Sequence, residues 1–384
     1  MDAPRGPDWT TLPHELVATV FQNLDTRKDR IAFTLACPEW FLATDAPVFW
    51  QNFKIVIDVD YADPYLMHMV QRYFRHFKTL ELTWVMSPRW VRMPFSHYKE
   101  MVKAIGRILV LLYDFSVQLR EIHVSRWPGS KHTKKLGYLL MRYIKSQTRL
   151  RILTLNEANF YHVNFANVLT ECMRSHKTLK KLNFHYTTKW SRQSFNRWLF
   201  SMCLENLYFL ESLTMDCWMF WQFFSKLQTL IPKLKELNLY LDESPSPSQP
   251  EPLALIKDSQ WELFSTYLPR SCVYLTIERP MNDTLASIIF QKDYKLVSLN
   301  WNYTYYRESC RTDCCLCLDK LAHLDYPCLE RIRLNVPFPP EVLRDRVNYL
   351  VRKCRGIKSF ILNGNELIVN RDFFRSPAHF TVLM

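Results

Sequence analysis

At 384 residues, with 48% hydrophobic and 15% aromatic side chains, the chain can bury a sizeable interior but is long for one compact core. Six glycines and 21 prolines exclude a collagen-like or glycine-rich flexible chain, and the longest apolar run, 108–113, falls far short of the roughly 20 residues that span a bilayer. The net charge of +13 is uneven: four basic and seven acidic residues leave −3 in 1–52, so the remainder carries +16. That imbalance points to an acidic or phosphorylated partner for the longer part, with nucleic acid as the disfavoured competitor. Residues 1–8 are polar and proline-rich, with no apolar core of a secretory signal. Eleven cysteines without such a signal read as free thiols, which implies a cytoplasmic or nuclear protein.

The first patterned stretch is 12–25. Leu16, Val17, Val20, Phe21 and Leu24 recur at helical spacing and predict a helix of about three turns with one apolar face. Pro13 suits the first helical position, and Thr11 is the better N-cap beside Leu12. A second apolar run covers Ile31 to Cys37. Pro38 ends it, and Glu39-Trp40-Phe41 opens a third helix leading to Val48-Phe49-Trp50.

Residues 9–52 resemble the F-box. The carrying positions are Leu12-Pro13-His14-Glu15-Leu16, Val20-Phe21, Leu24-Asp25, Ala36-Cys37, Trp40 and Trp50. The departure is Pro38-Glu39, where the family often has a basic residue before the Trp; it alters surface charge. A bundle of about 40 residues has little core of its own and leaves apolar groups exposed until a partner covers them. The resemblance implies that this partner is a Skp-type adaptor and, through it, a cullin-RING ubiquitin ligase. It also implies that Leu12, Pro13, Leu16, Val20, Phe21 and Leu24 dock the adaptor, with Leu35 and Trp40 supporting.

Residues 53–370 carry an internal repeat: apolar, two variable, apolar, one variable, apolar. It runs from Phe77-x-x-Leu80-x-Leu82 through Leu119, Leu150, Leu179, Leu210 and Leu234. It continues at Cys272-x-x-Leu275-x-Ile277, Leu296, Leu329 and Ile357, about ten copies starting 24 to 42 residues apart. The pattern looks like a leucine-rich repeat of the long, helix-containing kind. The fold class expected is α/β: a three-helix head, then a horseshoe solenoid of ten to eleven irregular repeats. Its parallel strands line the concave face and its helices the convex one. No single copy buries enough apolar area to offset its ordering entropy, so copies must stack. Helices are predicted over 62–77, 98–117, 135–147, 165–176, 193–206, 283–291 and 341–354, and a strand over 53–59. Pro339-Pro340 marks the start of the last helix, and Gly356 lies just past its end. Asn156, Asn335 and Asn363 follow the last apolar position of their copies, where an amide can bond turn backbone.

The strand positions between the inward residues form the expected target surface. These are Lys181, Asn183, His185, Asp216, Asn238, Tyr240, Asn300, Asn302, Arg331 and Arg333, a polar, amide-rich set. Residues 242–252, with four prolines and three serines, read as a mobile insertion, and Ser244 and Ser246 precede prolines. Cys310, Cys314, Cys315 and Cys317 lack paired Cys-x-x-Cys hooks, so an oxidisable loop or partly buried thiols fit them better than zinc. Trp218, Phe220, Trp221, Phe223 and Phe224 read as packing between repeats. Residues 371–384 form a tail. No nucleotide loop, nucleophile elbow or metal-ligand spacing is present, so neither catalysis nor a cofactor is expected. The function that the F-box resemblance implies is a non-catalytic, substrate-recognition subunit of an SCF-type ubiquitin ligase acting through proximity. Two alternatives stand: an F-box interaction scaffold without cullin-linked turnover, or a basic binder of nucleic acid or acidic surfaces. No membrane partner is expected.

Overall fold

The computed structural model describes residues 9–24, 27–44, 46–57, 64–85, 95–127, 133–158, 177–185, 207–217, 220, 233–241, 266, 271–278, 286–287, 289–290, 295–302, 308–324, 326–337 and 340–367. They fall in two α/β units, one ending at Thr178 and the other beginning at Leu179. The expected helices at 165–176 and 193–206, the insertion 242–252, the tail 371–384, and Trp218, Trp221, Phe223 and Phe224 lie outside the described residues. Of the helix expected at 283–291, only Ala286, Ser287 and Ile289 are described as helical.

The first unit opens with a 3-10 turn, Trp9–Thr11, and three short helices: α1 (His14–Gln22), α2 (Arg27–Thr34) and α3 (Pro38–Ala43). Thr11 belongs to the 3-10 turn and is not the N-cap of α1. Pro13 holds that place in extended backbone, and its carbonyl accepts the amides of Leu16 and Val17 at 3.0 and 3.1 Å. At α3, Cys37 caps the helix: its Sγ accepts the Trp40 amide at 3.4 Å, and Pro38 takes the first turn. The interior of this head is aromatic. Phe21 meets Phe49, Phe33 and Trp50 with ring centroids 4.8, 5.8 and 5.9 Å away. Trp50 donates its indole N–H to the Thr44 carbonyl at 2.6 Å and stacks on Tyr73 at 4.0 Å.

A 3-10 turn, Pro47–Trp50, then leads straight into β1 (Asn52–Ile57). Strands β2 (Thr79–Trp84), β3 (Glu121–Ser125) and β4 (Ile152–Asn156) follow, each parallel to its predecessor. Between them lie α4 (Pro64–Tyr73) with a 3-10 extension at Phe74–His76, α5 (Phe95–Asp114) and α6 (Lys134–Lys145). Alternation along each strand sends every second side chain inward. Parallel register then lines Phe53, Leu80, Ile122 and Leu153 in one row and Ile55, Leu82, Val124 and Leu155 in the next. All eight are buried.

The second unit repeats the scheme. Strands β5 (Lys181–Asn183), β6 (Ser212–Asp216), β7 (Glu236–Leu241), β8 (Cys272–Ile277), β9 (Leu296–Asn302), β10 (Arg331–Asn335) and β11 (Ser359–Leu362) are parallel in chain order. A final β12 (Asn365–Leu367) turns back antiparallel through Asn363 and Gly364, at φ 50° and 84°, the left-handed pair of a tight hairpin. Described helices here are α7 (Glu308–Leu324) and α8 (Pro340–Lys353).

One repeat is framed differently from the sequence pattern. Cys272 pairs with Glu236 on the outward row, and Val273 takes the inward place beside Leu237. Between β8 and β9 the register slips by one residue: Val273 pairs with Leu296 and Tyr274 with Ser298, which leaves Val297 as a bulge, and from there Leu275 aligns with Leu299, Ile332 and Phe360. The extra residue is absorbed locally, with Leu296 and Val297 both buried, and alternation resumes from Ser298. The cysteines at 314, 315 and 317 lie in α7, not in a loop, and all three are buried.

Successive copies are tied by backbone at the entrance to the strands. At most of the described steps one carbonyl of a copy accepts two amides of the next. Lys78 O takes Arg120 N (2.7 Å) and Glu121 N (3.1 Å), and Arg120 O takes Arg151 N (2.7 Å) and Ile152 N (3.1 Å). In the second unit Lys180 O serves Glu211 and Ser212, and Glu330 O serves Lys358 and Ser359. Gln147, fully buried, reinforces one such step: its Oε1 accepts the Leu119 amide at 2.6 Å, and its Nε2 donates to the Val117 carbonyl at 3.0 Å. Tyr143 donates to the same carbonyl at 3.1 Å, and burial pushes its phenol well above the usual range. Gly356 is required for close approach, since a Cβ there would lie 2.6 Å from the Pro327 carbonyl oxygen.

Two stability outcomes follow. Gln147→Leu strips the Leu119 amide of its partner inside the first unit and is expected to cost about 1–3 kcal/mol for that orphaned donor alone. Gly356→Ala forces backbone apart in the second unit and is expected to cost about 1–3 kcal/mol. Denaturant melts followed by hydrogen exchange check each: protection should fall in the unit that carries the substitution and hold in the other.

Candidate functional site

The exposed apolar groups of the head are set by how α1 divides its stripe. Val17 and Phe21, four residues apart, face inward at 2% and 1% exposure. Leu16 and Val20, one helical step around, stand out at 51% and 43%. Phe21, expected among the docking residues, is therefore a core residue. Arg30 covers its ring face at 5.4 Å while donating to the Leu24 carbonyl at 3.0 Å. Pro13 is exposed, Leu12 and Leu24 are half-buried, and Leu35 is 75% exposed at the end of α2. Trp40 is half-buried and stacks on Phe33 at 4.3 Å, which braces α3 against α2.

Leu42, 65% exposed, was not anticipated. Its signal was present: Trp40, Phe41 and Leu42 are consecutive on a six-residue helix, and three neighbours on a helix cannot all face one core. Phe41 is also partly exposed, beneath the Arg72 guanidinium at 5.3 Å. An aliphatic surface this open on a small helical head is suited to non-polar docking.

The second unit's outward strand face is less solvated than alternation alone implies. All five residues of β6 are buried, including Thr214 and, at 2% exposure, Asp216. Asp216 was expected as an open target contact. It lies instead beneath a stacked pair, His185 and Tyr240, with ring centroids 4.1 Å apart. His185 Nδ1 is 3.0 Å from Asn183 Oδ1. Burial holds its imidazole down at about 4, so it is neutral at pH 7. Burial likewise raises Tyr240, and the carboxylates of Glu278 and Asp216 add to that.

Parallel register sets Asp216, Tyr240, Thr276, Asn300 and Arg333 side by side on consecutive strands. Asn238 is half-buried one dipeptide earlier on β7. Asn300 and Asn302 are half-buried, and their Oδ1 atoms are buried without a hydrogen-bond partner among the described residues, as is that of Asn156. Asn363 does what its position promised: its Oδ1 accepts the Val336 amide at 2.8 Å. Lys181, Arg331 and Arg333 are exposed, and the Arg331 guanidinium lies 5.7 Å over the Tyr274 ring. At the strand entrances Glu211 is clasped by Lys180 and Lys235, both at 2.7 Å, which hold its carboxyl down at about 2. No group of three histidine, cysteine or acidic side chains placed to hold a metal occurs among the described residues.

His185 gives the second unit a pH signature. Its folded value of about 4 lies below the ordinary 6.5, so the unfolded chain takes up a proton first. This contribution is fully present above pH 6.5 and is lost as pH falls toward 4, at most on the order of 3 kcal/mol. His185→Phe, which keeps the ring on Tyr240, should flatten the pH dependence of urea melts between pH 6.5 and 4. An unchanged slope would mean that the histidine titrates alike in both states.

Compared with known proteins, the chain matches no protein-family model, and no characterised sequence is similar to it.

Proposed function

We propose that the chain is the substrate-recognition subunit of an SCF-type ubiquitin ligase. In this reading residues 9–52 are an F-box that grips a Skp-type adaptor. The stacked strand–helix copies are leucine-rich repeats that hold a target protein. The observation that carries it is the split stripe of α1: Val17 and Phe21 keep the head folded, while Leu16 and Val20 remain uncovered in the ordered Leu-Pro-x-Glu-Leu context. Leu35 and Leu42 enlarge that uncovered surface from α2 and α3. Each large aliphatic side chain that a partner buries contributes about 1.5–3 kcal/mol, so a handful is enough for a stable grip.

The chain's role is then one of position. The Trp50–Tyr73 stack at 4.0 Å joins the head to α4, so an adaptor on α1 would be held in fixed relation to the strands of the first unit. No chemistry is assigned to the chain itself. The reactive groups belong to the ubiquitin-conjugating machinery that the adaptor brings.

Co-purification of the full-length chain with a Skp-type adaptor tests the reading. The double variant Leu16→Glu, Val20→Glu should lose adaptor binding by at least about 100-fold, because two charges would be buried unpaired. Its melt should stay close to that of the parent, since both residues lie on the exposed side of α1. Phe21→Ala should instead destabilise the head by about 3–5 kcal/mol. Adaptor binding undiminished in the double variant would overturn the reading.

A further inference from the structure

The +16 carried beyond residue 52 was expected to draw an acidic or phosphorylated partner to the longer part, whose expected target surface was the strand face. In the first unit the structure puts it elsewhere. The charged outward strand positions carry no cationic excess: Lys54 pairs with Glu81 at 2.9 Å and Glu121 lies 3.3 Å from His123, while just past the strand ends Arg126 pairs with Glu157 at 3.4 Å. The helices behind the sheet are different. The exposed face of α5 shows Lys99, Lys103, Arg107 and Val110, and that of α6 shows Lys134, Lys135, Tyr138, Arg142 and Lys145. Against seven cations on these two helices stand two exposed acids, Glu100 and Asp114. Glu100 is held by Lys103 at 2.6 Å.

The two helices run side by side in step. A Cβ on Gly106 would lie 3.7 Å from the side chains of Leu136 and Leu139, and the Arg142 guanidinium covers the Tyr113 ring at 4.3 Å. Residues 106 to 113 of α5 thus travel with 136 to 142 of α6, which sets Lys103 and Arg107 level with Lys134 and Lys135. Lys99, Lys103 and Arg107 follow one another every four residues, about 6 Å along the axis, and packed helices stand about 8–10 Å apart. The result is a two-row cationic lattice in which Val110, 39% exposed, and Tyr138, 49% exposed, are set between the charges.

We propose that this α5–α6 face binds an acidic, partly apolar polypeptide segment. The charge selects the polyanion, and the interleaved groups select its kind. A peptide with Glu or Asp alternating with Leu or Phe satisfies the cations and also covers Val110 and Tyr138. A nucleic-acid backbone leaves the valine uncovered and meets the Glu100 carboxylate. An anionic membrane needs deeper apolar insertion than a valine and a tyrosine provide. This surface is separate from the head and does not rest on the adaptor reading.

The test uses the full-length chain and a fluorescent twelve-residue peptide of alternating Glu/Asp and Leu/Phe. Its comparators are a single-stranded DNA oligomer of equal charge and vesicles containing phosphatidylserine. The peptide should bind, and the triple variant Lys99→Glu, Arg107→Glu, Lys135→Glu should weaken it more than tenfold. Val110→Ser with Tyr138→Ala should weaken it about three- to tenfold, while Arg331→Glu with Arg333→Glu on the strand face should leave it unchanged. Because all of these side chains are exposed, melts should stay at the parental midpoint, and Lys99→Gln, Arg107→Gln, Lys135→Gln serves as a milder variant if charge reversal perturbs folding. Tighter binding of the DNA or the vesicles than of the peptide would overturn the proposal. So would failure of the peptide to bind, or equal peptide affinity in the triple and strand-face variants.

Discussion

The structure depends on one recurrent exchange: at most of the described strand entrances a single carbonyl accepts two amides from the next copy. Lys78, Arg120, Lys180, Glu211 and Glu330 all supply that acceptor, although their side chains differ in sign of charge. Because the bond uses backbone only, it places no demand on residue type and lets the side chains there diverge. What it does demand is spacing, since the acceptor and the first inward residue must keep a fixed offset. The apolar triplet is the visible consequence of that demand. Stacking follows from the same constraint, because a copy alone leaves both its carbonyl and its inward row facing water.

Much of this was legible in the sequence, and the reason is periodicity. Alternation in Phe53 to Ile57 and the triplets from Leu80 to Leu155 announced strands whose inward residues are all buried. Helix positions in the first unit were also close, because α5 and α6 carry long apolar stripes. Capping was less legible. Thr11 is chemically the better cap, yet a 3-10 turn claims it and Pro13 holds the helix entrance through its carbonyl alone. Leu275 and Ile277 turn inward as expected, but the entry to β8 was misread for a related reason. Cys272 fits the apolar pattern as well as Val273 does, and only pairing with Glu236 reveals which of them faces out. The cysteines of α7 were hard to place because Leu316 and Leu324 fall on the side that carries Asp319, Lys320 and His323 and blur the stripe.

Site residues were less legible than fold, since alternation says which way a side chain leaves the strand and not what covers it afterwards. Asp216 leaves on the outward side as expected, and the His185–Tyr240 stack then closes over it. That closure depends on a contact between residues 55 positions apart, to which no local pattern speaks. Phe21 shows the same limit on a helix. A stripe wide enough to include Leu16, Val17, Val20 and Phe21 holds both a core half and an open half. The dividing line is fixed by Phe33, Phe49 and Trp50 arriving from two other segments.

Charge placement follows from the same geometry. Neighbouring strands are about 4.8 Å apart, so unlike charges in one row come into contact and settle as pairs, as Lys54–Glu81 does. Neighbouring helices are about twice that distance apart, and their outward side chains point into water, where like charges are screened and tolerated. An excess of cations is therefore least costly on the helical side, where it needs no compensation inside the fold. A surface that the fold itself leaves uncompensated is open to compensation by another molecule, and in the first unit the helices, rather than the strands, present it.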